Sequence, residues 1–332
     1  MSDDAMYRSV AAAASVPVYQ EYLAQGGHHS DEVRDVLLPR AELQTAEANG
    51  SVEAVEAFSQ AHASSKIGPE IDAALRRAML GELEKAKKLG TVAGLDEFAR
   101  KYPDNNLAPE LKAARHTLYA QALAGWKAKA KADAGTNAFM ERLLAWVEKS
   151  GSPACEVRFR LKPSKSIDDA DKKAMKSMHY PGPDALPSKY VTTAAMRTRE
   201  ERVAADVVKG FSAEISPDVL AVRAGEPLDA GAPNPTTMPT LVVEYAPEWS
   251  HVNTVSIKPN TIFAGFNFAF DASFVLPEGA PLQMKVKSWR GAELWKVKDE
   301  GLSREDFQQK VYDSMFDGAF DQLDKKLEDT LF

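Results

Sequence analysis

Apolar residues recur at helical spacing through the first 150 positions of the chain. Four Ser or Thr residues, at 15, 51, 91 and 136, each precede a short amphipathic stretch, and a large apolar residue follows seven positions later. These large residues are Tyr22, Phe58, Phe98 and Leu143. Because Ser and Thr side chains accept hydrogen bonds from the free N–H groups of a first helical turn, the pattern predicts a helix after each of them.

A second, longer helix follows each short one in the central copies. The segment 69–74 (Pro-Glu-Ile-Asp-Ala-Ala) matches 109–114 (Pro-Glu-Leu-Lys-Ala-Ala) at an offset of 40 residues, and each proline suits the first helical position. Gly50, Gly90 and Gly135 follow predicted helix ends, where a left-handed conformation is favoured. The predicted unit is therefore a short helix A, a turn and a long helix B. Three such pairs and a half unit at 136–150 form an array.

The predicted caps are spaced 36, 40 and 45 residues apart. With its lengthened B helices the array resembles tetratricopeptide-like repeats, whose unit is about 34 residues, and in particular those of bacterial envelope-assembly proteins. The resemblance covers about residues 4–150 and implies an all-α array with a concave, peptide-binding surface lined by the A helices. The Trp and Leu-Gly signature positions of the family are not reproduced, so no functional residue carries over.

The pattern changes near residue 151, where residues 156–161 alternate between polar and apolar side chains as a half-buried strand does. A helix is predicted at 193–211, and strands are predicted at 241–245, 261–276 and 282–286. Since the strands follow one another through short links, we expect residues 151–332 to form an α+β domain with an antiparallel sheet. The expected fold is thus multidomain: an all-α repeat domain, 1–150, followed by this α+β domain.

A long amphipathic helix closes the chain after Ser303. Tyr312 and Phe316 widen its apolar face, which indicates either a helix that covers the sheet or a docking helix for a partner. Its acidic residues at positions 313, 317, 321 and 324 predict a solvated stripe paired with Lys310 and Lys325. Trp289 lies out of phase with the apolar residues of its strand, so it is either a covered residue of the second sheet face or an interface anchor. The candidate partner-binding residues are Tyr22, Phe58, Phe98, Trp289, Tyr312 and Phe316.

Bulk properties restrict the classes of partner. The composition, 44% hydrophobic and 27% charged, is that of a globular protein with room for two cores. The net charge of −7 argues against nucleic acid binding, and no apolar run reaches the roughly 20 residues of a membrane span.

Residues 5–14 resemble the tail of a B helix, so either the chain begins inside a larger protein, with an upstream anchor possible, or this segment is a capping helix. The expected compartment is the cytoplasm or, for a truncated chain, the bacterial envelope.

Catalytic motifs are missing from the sequence: no phosphate loop, dinucleotide fingerprint, nucleophile elbow or zinc-protease signature occurs. The segment 28–32 could supply metal ligands but suits a turn, and Cys155 with His116 or His179 could be imagined as a nucleophile pair but suits a buried strand. We therefore predict no catalytic residues, metal or cofactor.

The expected function is that of a non-enzymatic scaffold or adaptor with a protein or peptide partner. Two alternatives remain open at this point. One is the soluble part of a membrane-anchored bacterial envelope assembly factor. The other is an enzyme of unknown class in the C-terminal domain.

Overall fold

The computed structural model describes residues 2–177, 186–250, 265–288 and 303–332. The chain divides into two compact units, Met1–Leu118 and Tyr119–Phe332, here called the helical unit and the sheet unit. The sequence placed this division near residue 150. The difference arises because helix α9 (Ala134–Ser150) packs in the sheet unit, where the ring of Phe139 lies 4.9 Å from that of Phe274.

The helical unit alternates short and long helices. Its helices are α1 (Asp3–Ala13), α2 (Val16–Gln25), α3 (Ser30–Glu32), α4 (Leu38–Asn49), α5 (Val52–Ala61), α6 (Gly68–Lys88), α7 (Val92–Lys101) and the first part of α8 (Ala108–Lys129). A π-helical turn (Val33–Leu37) joins α3 to α4. Short α5 packs on α4 and on long α6, and α6 in turn packs on short α7. Apolar positions at helical spacing form these contacts and leave charged residues outside.

Two of the four predicted caps are confirmed by their hydrogen bonds. The hydroxyls of Ser51 and Thr91 accept bonds of 3.1 Å from the backbone N–H groups of Ala54 and Gly94. Ser15 stands in the same extended conformation at the start of α2, but its side chain makes no capping bond.

The prediction for Thr136 was wrong. Asp133 caps α9, accepting a 2.7 Å bond from the Thr136 N–H, and Thr136 is buried inside the helix. Gly135 therefore lies in the first turn of a helix, whereas Gly50 and Gly90 adopt the predicted left-handed conformation with φ of 72° and 67°. Asp is as good a capping residue as Thr, and Asp133 lies three positions upstream of Thr136.

The sheet unit is built on a mixed sheet, so the expectation of a purely antiparallel one was wrong. The strands are β1 (Ala154–Leu161), β2 (Ala221–Ala224), β3 (Thr240–Ser250), β4 (Gly265–Val275) and β5 (Leu282–Ser288), in the spatial order β2-β1-β3-β4-β5. Strand β1 is parallel to both of its neighbours, while β3, β4 and β5 are antiparallel.

The connections explain the parallel part of the sheet. Helices α10 (Lys165–Met175) and α11 (Thr193–Glu214) lie between β1 and β2 in sequence, and such a helical crossover returns the chain to the end where β1 began. From β2 the chain must return again before β3, and it does so through the proline-rich segment 225–239. Part of that segment runs beside β1, with the N–H groups of Gly225 and Leu228 bonded to carbonyls of β1.

Helices α11 and α12 (Arg304–Leu331) cover one face of the sheet. The rings of Phe266 and Phe268 lie 5.1 and 5.3 Å from that of Phe316, and Phe270 contacts Phe320. Trp126 of α8 is fully buried here, and its indole N–H donates a 2.9 Å bond to the carbonyl of Leu331 at the end of α12. The wide aromatic face of α12 is therefore occupied by the sheet.

Candidate functional site

Five of the six aromatic residues that were predicted from the sequence to bind a partner are core residues. Tyr22 (1% exposed), Phe58 and Phe98 are buried in the helical unit. Tyr312 and Phe316 of α12 are buried against the sheet, where burial raises the pKa of Tyr312 to about 12. Trp289 lies outside the described residues. Packing accounts for the five described side chains, so the candidate surfaces of each unit are polar ones.

In the helical unit, ion pairs link each long helix to the next. Arg40 of α4 donates two bonds, of 2.8 and 2.6 Å, to the carboxylate of Glu70 at the start of α6. Arg76 of α6 likewise pairs with Glu110 at the start of α8. Glu70 and Glu110 are the equivalent residues of the two matched segments, 40 positions apart. The same contact thus recurs between successive long helices.

The short helices are linked in the same way. Lys101 of α7 lies 3.0 Å from the carboxylate of Glu53 on α5. The exposed residues of these two short helices include Glu56 and Gln60 on α5 and Glu97 and Arg100 on α7. Gln60 and Arg100 are again 40 residues apart, so α5 and α7 present equivalent positions to solvent.

In the sheet unit, one face of the sheet carries charged residues. Side chains alternate along each strand, and those that do not face α11 and α12 are mostly polar. We call this surface the charged sheet face. Its charged residues include Glu156, Arg158, Arg160, Lys162, Arg223, Glu244, Asp271 and Lys285.

Two carboxylates on this face are each shared between two cations. Glu156 accepts bonds of 2.6 Å from Arg158 and 3.0 Å from Arg223. Burial alone would raise the pKa of Glu156, but these hydrogen bonds outweigh it and the net effect lowers the pKa. The pKa of Glu244 is lowered in the same way, against its burial, by Lys162 and Arg160. Both carboxylates therefore stay ionised at neutral pH.

Arg160 is the most buried cation of the charged sheet face, with 5% of its side chain exposed. Its Nη1 donates to Glu244 and, over 3.0 Å, to Oδ1 of Asn234. Its Nε and Nη2 have no hydrogen-bond partner in the part of the chain that the structure describes. Both of these nitrogen atoms are buried, so this edge of the guanidinium is closed to solvent.

A cleft lies beside Arg160 on the same face. It has a volume of about 350 Å³, and it is lined by Asn234, Val242, Glu244, Asp271, Ser273, Gln283 and Lys285. Two of these residues, Asn234 and Glu244, are the partners of Arg160. The lining offers amide, hydroxyl, carboxylate and ammonium groups, which suits a polar ligand with several hydrogen-bonding groups. Sequence reasoning missed this site, although the alternation of charged residues at 156, 158 and 160 was visible.

The acidic stripe of α12 pairs across to α11, where pairs along α12 itself were expected. Arg199 contacts Asp313 at 3.1 Å and Asp317 at 2.7 Å, and Arg202 contacts Asp321 at 2.6 Å. The spacing of Arg199 and Arg202 on the predicted helix carried this signal, but only packing brings α11 and α12 together.

The last residue of the stripe, Asp324, lies in a cleft of about 420 Å³ that Asp206 and Glu328 also line. Burial, reinforced by the charges of these two carboxylates, raises the pKa of Asp324 to about 6.

The remaining candidates have structural explanations. His29 meets Asp3 and Asp4 among the described residues, in place of the neighbouring Asp31 and Glu32. Hydrogen bonds account for this cluster, since Asp4 lies 3.1 Å from the His29 ring and Asp3 accepts a bond from the His28 N–H. Burial raises the pKa of Cys155, which leaves its thiol protonated and unreactive. The possible partner His179 lies outside the described residues.

Within the described ranges, no helix combines the length and apolar character needed to cross a membrane. Comparison of the chain with family models, curated proteins and solved structures found no match.

Proposed function

We propose that this protein is a non-enzymatic interaction scaffold whose helical unit is a tetratricopeptide-like array of stacked helix pairs. The observation that carries the proposal is the repeated link between long helices, in which Glu70 and Glu110 each accept a guanidinium from the preceding one. The acceptors Glu70 and Glu110 recur at the 40-residue offset of the sequence match, whereas the donors Arg40 and Arg76 lie 36 residues apart. A similar link between successive long helices is what stacking of related units produces. Surface ion pairs add little stability, so their value here is as a marker of register.

The partner-binding surface of such an array is the layer of short helices. Gln60 on α5 and Arg100 on α7 occupy equivalent exposed positions, and Glu56 and Glu97 lie beside them. Side chains repeated along a row suit an extended or helical segment that contacts one unit after another. Since Tyr22, Phe58 and Phe98 are buried, we expect recognition to depend on charge and hydrogen bonding.

The test is quantitative affinity capture from a lysate with the full chain, followed by titration of each purified partner. The variant Glu56→Lys/Glu97→Lys changes the short-helix surface. The control Asp72→Lys/Asp104→Lys makes the same change in charge at exposed positions of the helical unit away from that surface. Both proteins are first compared with the wild type by circular dichroism.

The proposal predicts a partner that binds the wild type and the control equally, within about twofold, and the short-helix variant at least about tenfold more weakly, a difference of about 1.4 kcal/mol. Equal binding of a partner to all three proteins would show that the short helices are not the binding surface. Turnover of a metabolite by the purified chain would replace the scaffold proposal with an enzymatic one.

A further inference from the structure

The charged sheet face has more cations than carboxylates around β1. Arg158, Arg160, Lys162 and Arg223 surround only two carboxylates, Glu156 and Glu244. Two positive charges of this group are therefore not neutralised within it, although the whole chain carries a net charge of −7. Such a local field attracts an anionic ligand.

Part of this charge is accessible to a partner. Arg223 is 61% exposed and Lys162 is 42% exposed, so both can exchange their present contacts for new ones. Arg160 is buried, with 5% of its side chain exposed, so it adds positive charge to this surface while its own contacts to Glu244 and Asn234 stay in place.

From this geometry we propose that the charged sheet face docks an acidic peptide segment of a partner protein. The segment supplies carboxylates to Lys162 and Arg223, and its backbone lies in the neighbouring cleft. There Asn234 and Gln283 can bond to peptide groups, while Glu244 and Asp271 can accept from peptide N–H groups.

Interleaved charge favours a peptide over a nucleic acid. Glu244 and Asp271 line the cleft, and Glu156 lies between two arginines, so carboxylates recur throughout the surface. A phosphate backbone has one negative charge at every step and would meet these carboxylates. An acidic peptide spaces its charges and offers N–H donors between them, which fits the alternation of cation and carboxylate. This inference rests on the proposed role as an interaction protein, but it concerns a different surface from the short helices.

The experiment measures fluorescence anisotropy with a fluorescein-labelled decapeptide of alternating Glu and Gly, and with its Gln/Gly counterpart. The full chain is compared with Lys162→Glu/Arg223→Glu and with Lys325→Glu/Lys326→Glu, which makes the same change in charge at exposed positions of α12. The neutral variant Lys162→Gln/Arg223→Gln provides a second test should the charge reversal disturb folding. A ten-nucleotide single-stranded DNA with the same label is titrated in parallel.

The proposal predicts saturable binding of the Glu/Gly peptide and at least about tenfold weaker binding of the Gln/Gly peptide. The charge reversal Lys162→Glu/Arg223→Glu is expected to weaken binding of the Glu/Gly peptide by about tenfold or more, and the neutral variant Lys162→Gln/Arg223→Gln is expected to weaken it less. The α12 control Lys325→Glu/Lys326→Glu should weaken it by under about twofold.

Absence of binding to the wild type, or equal weakening by the sheet-face and α12 variants, would overturn the proposal. DNA binding that exceeds peptide binding and is lost in the sheet-face variant would overturn it in favour of a nucleic acid ligand. The short-helix variant Glu56→Lys/Glu97→Lys should bind the Glu/Gly peptide as the wild type does. A failure of the short-helix proposal is thereby separated from a failure of this one.

Discussion

The hydroxyl of Tyr245 donates a 2.6 Å hydrogen bond to the carboxylate of Glu200, and both residues are buried. Tyr245 stands on β3 in the centre of the sheet, and Glu200 stands on α11 above it. The second oxygen of Glu200 has no partner among the described residues. This contact fixes the position of α11 on the sheet at the cost of a buried carboxyl group.

We predict that Tyr245→Phe and Glu200→Gln differ in their effects on stability. Removing the hydroxyl leaves the Glu200 carboxyl without a donor and should lower the free energy of unfolding by about 1–3 kcal/mol at pH 8. Glu200→Gln keeps an acceptor for Tyr245 and removes the charge, so its cost at pH 8 should be smaller. Urea denaturation of the three proteins gives the comparison.

The pH dependence of these variants follows from the same contact. Burial raises the pKa of Glu200, and the hydrogen bond from Tyr245 opposes that rise. A carboxyl with a raised pKa in the folded state is favoured protonated, so its contribution to stability falls as pH rises through that pKa. Tyr245→Phe should therefore cost more at pH 8 than at pH 5. An equal cost at both pH values would contradict the assignment.

Asp324 provides a second pH-dependent prediction. Its pKa is raised to about 6, above that of an unfolded Asp, so the folded state binds the extra proton between about pH 4 and pH 6. Stability from this group is present below that window and is lost as pH rises through it. Asp324→Asn should stabilise the protein at pH 7 by on the order of 1 kcal/mol after allowance for solvent screening, with little effect at pH 4. Asp329→Asn, at an exposed position of the same helix, is the control in thermal denaturation at both pH values.

Two glycines of the helical unit should respond to alanine in opposite directions. Gly81 lies inside α6 with no atom within 4 Å of an added Cβ, so Gly81→Ala should stabilise by about 1 kcal/mol. Gly90 follows the same helix with φ of 67°, a conformation that costs an L-residue about 1 kcal/mol. Chemical denaturation should show the opposite signs, and a stabilising Gly90→Ala would refute the assigned left-handed turn.

The indole of Trp126 offers a spectroscopic test of the end of α12. Its N–H donates to the carbonyl of Leu331, and the ring is fully buried. Trp126→Phe should lower the free energy of unfolding by about 1–3 kcal/mol, because the loss of the donor leaves a buried carbonyl unpaired. The difference in emission between the chain and its Trp126→Phe variant isolates Trp126 from the other four tryptophans, and truncation before Leu327 should shift this component to longer wavelength by admitting water. Unchanged emission would show that α12 does not enclose this side chain.

Local signals in the sequence predicted most elements but not their partners. The caps at Ser51 and Thr91 and the left-handed turns at Gly50 and Gly90 depend on a few adjacent residues, and all four are confirmed. The parallel pairing of β1 could not be read in this way, because a strand's own alternation is the same in parallel and antiparallel sheets.

The candidate site likewise combines features that the sequence predicts with features that only packing sets. Large aromatic residues such as Phe58 and Phe316 suggested interface anchors, yet an apolar residue at helical spacing serves equally well in a core. Tertiary packing places both Phe58 and Phe316 in the core. The charged sheet face required the register of β1 against β3 and the path of the 225–239 segment before Arg160, Glu244 and Asn234 could be placed side by side.

The sequence by itself determined which segments fold as helices and strands, and that helices at a period of 40 residues precede an α+β part. It could do so because capping, periodicity and turn formation act over fewer than about ten residues. Only the tertiary structure decided that β1 is flanked by parallel strands, that the acidic stripe of α12 meets Arg199 and Arg202, and that two cations remain in excess on the charged sheet face. Those outcomes depend on contacts between residues about 65 to 120 positions apart, whose closeness is set by the packing of the whole sheet unit.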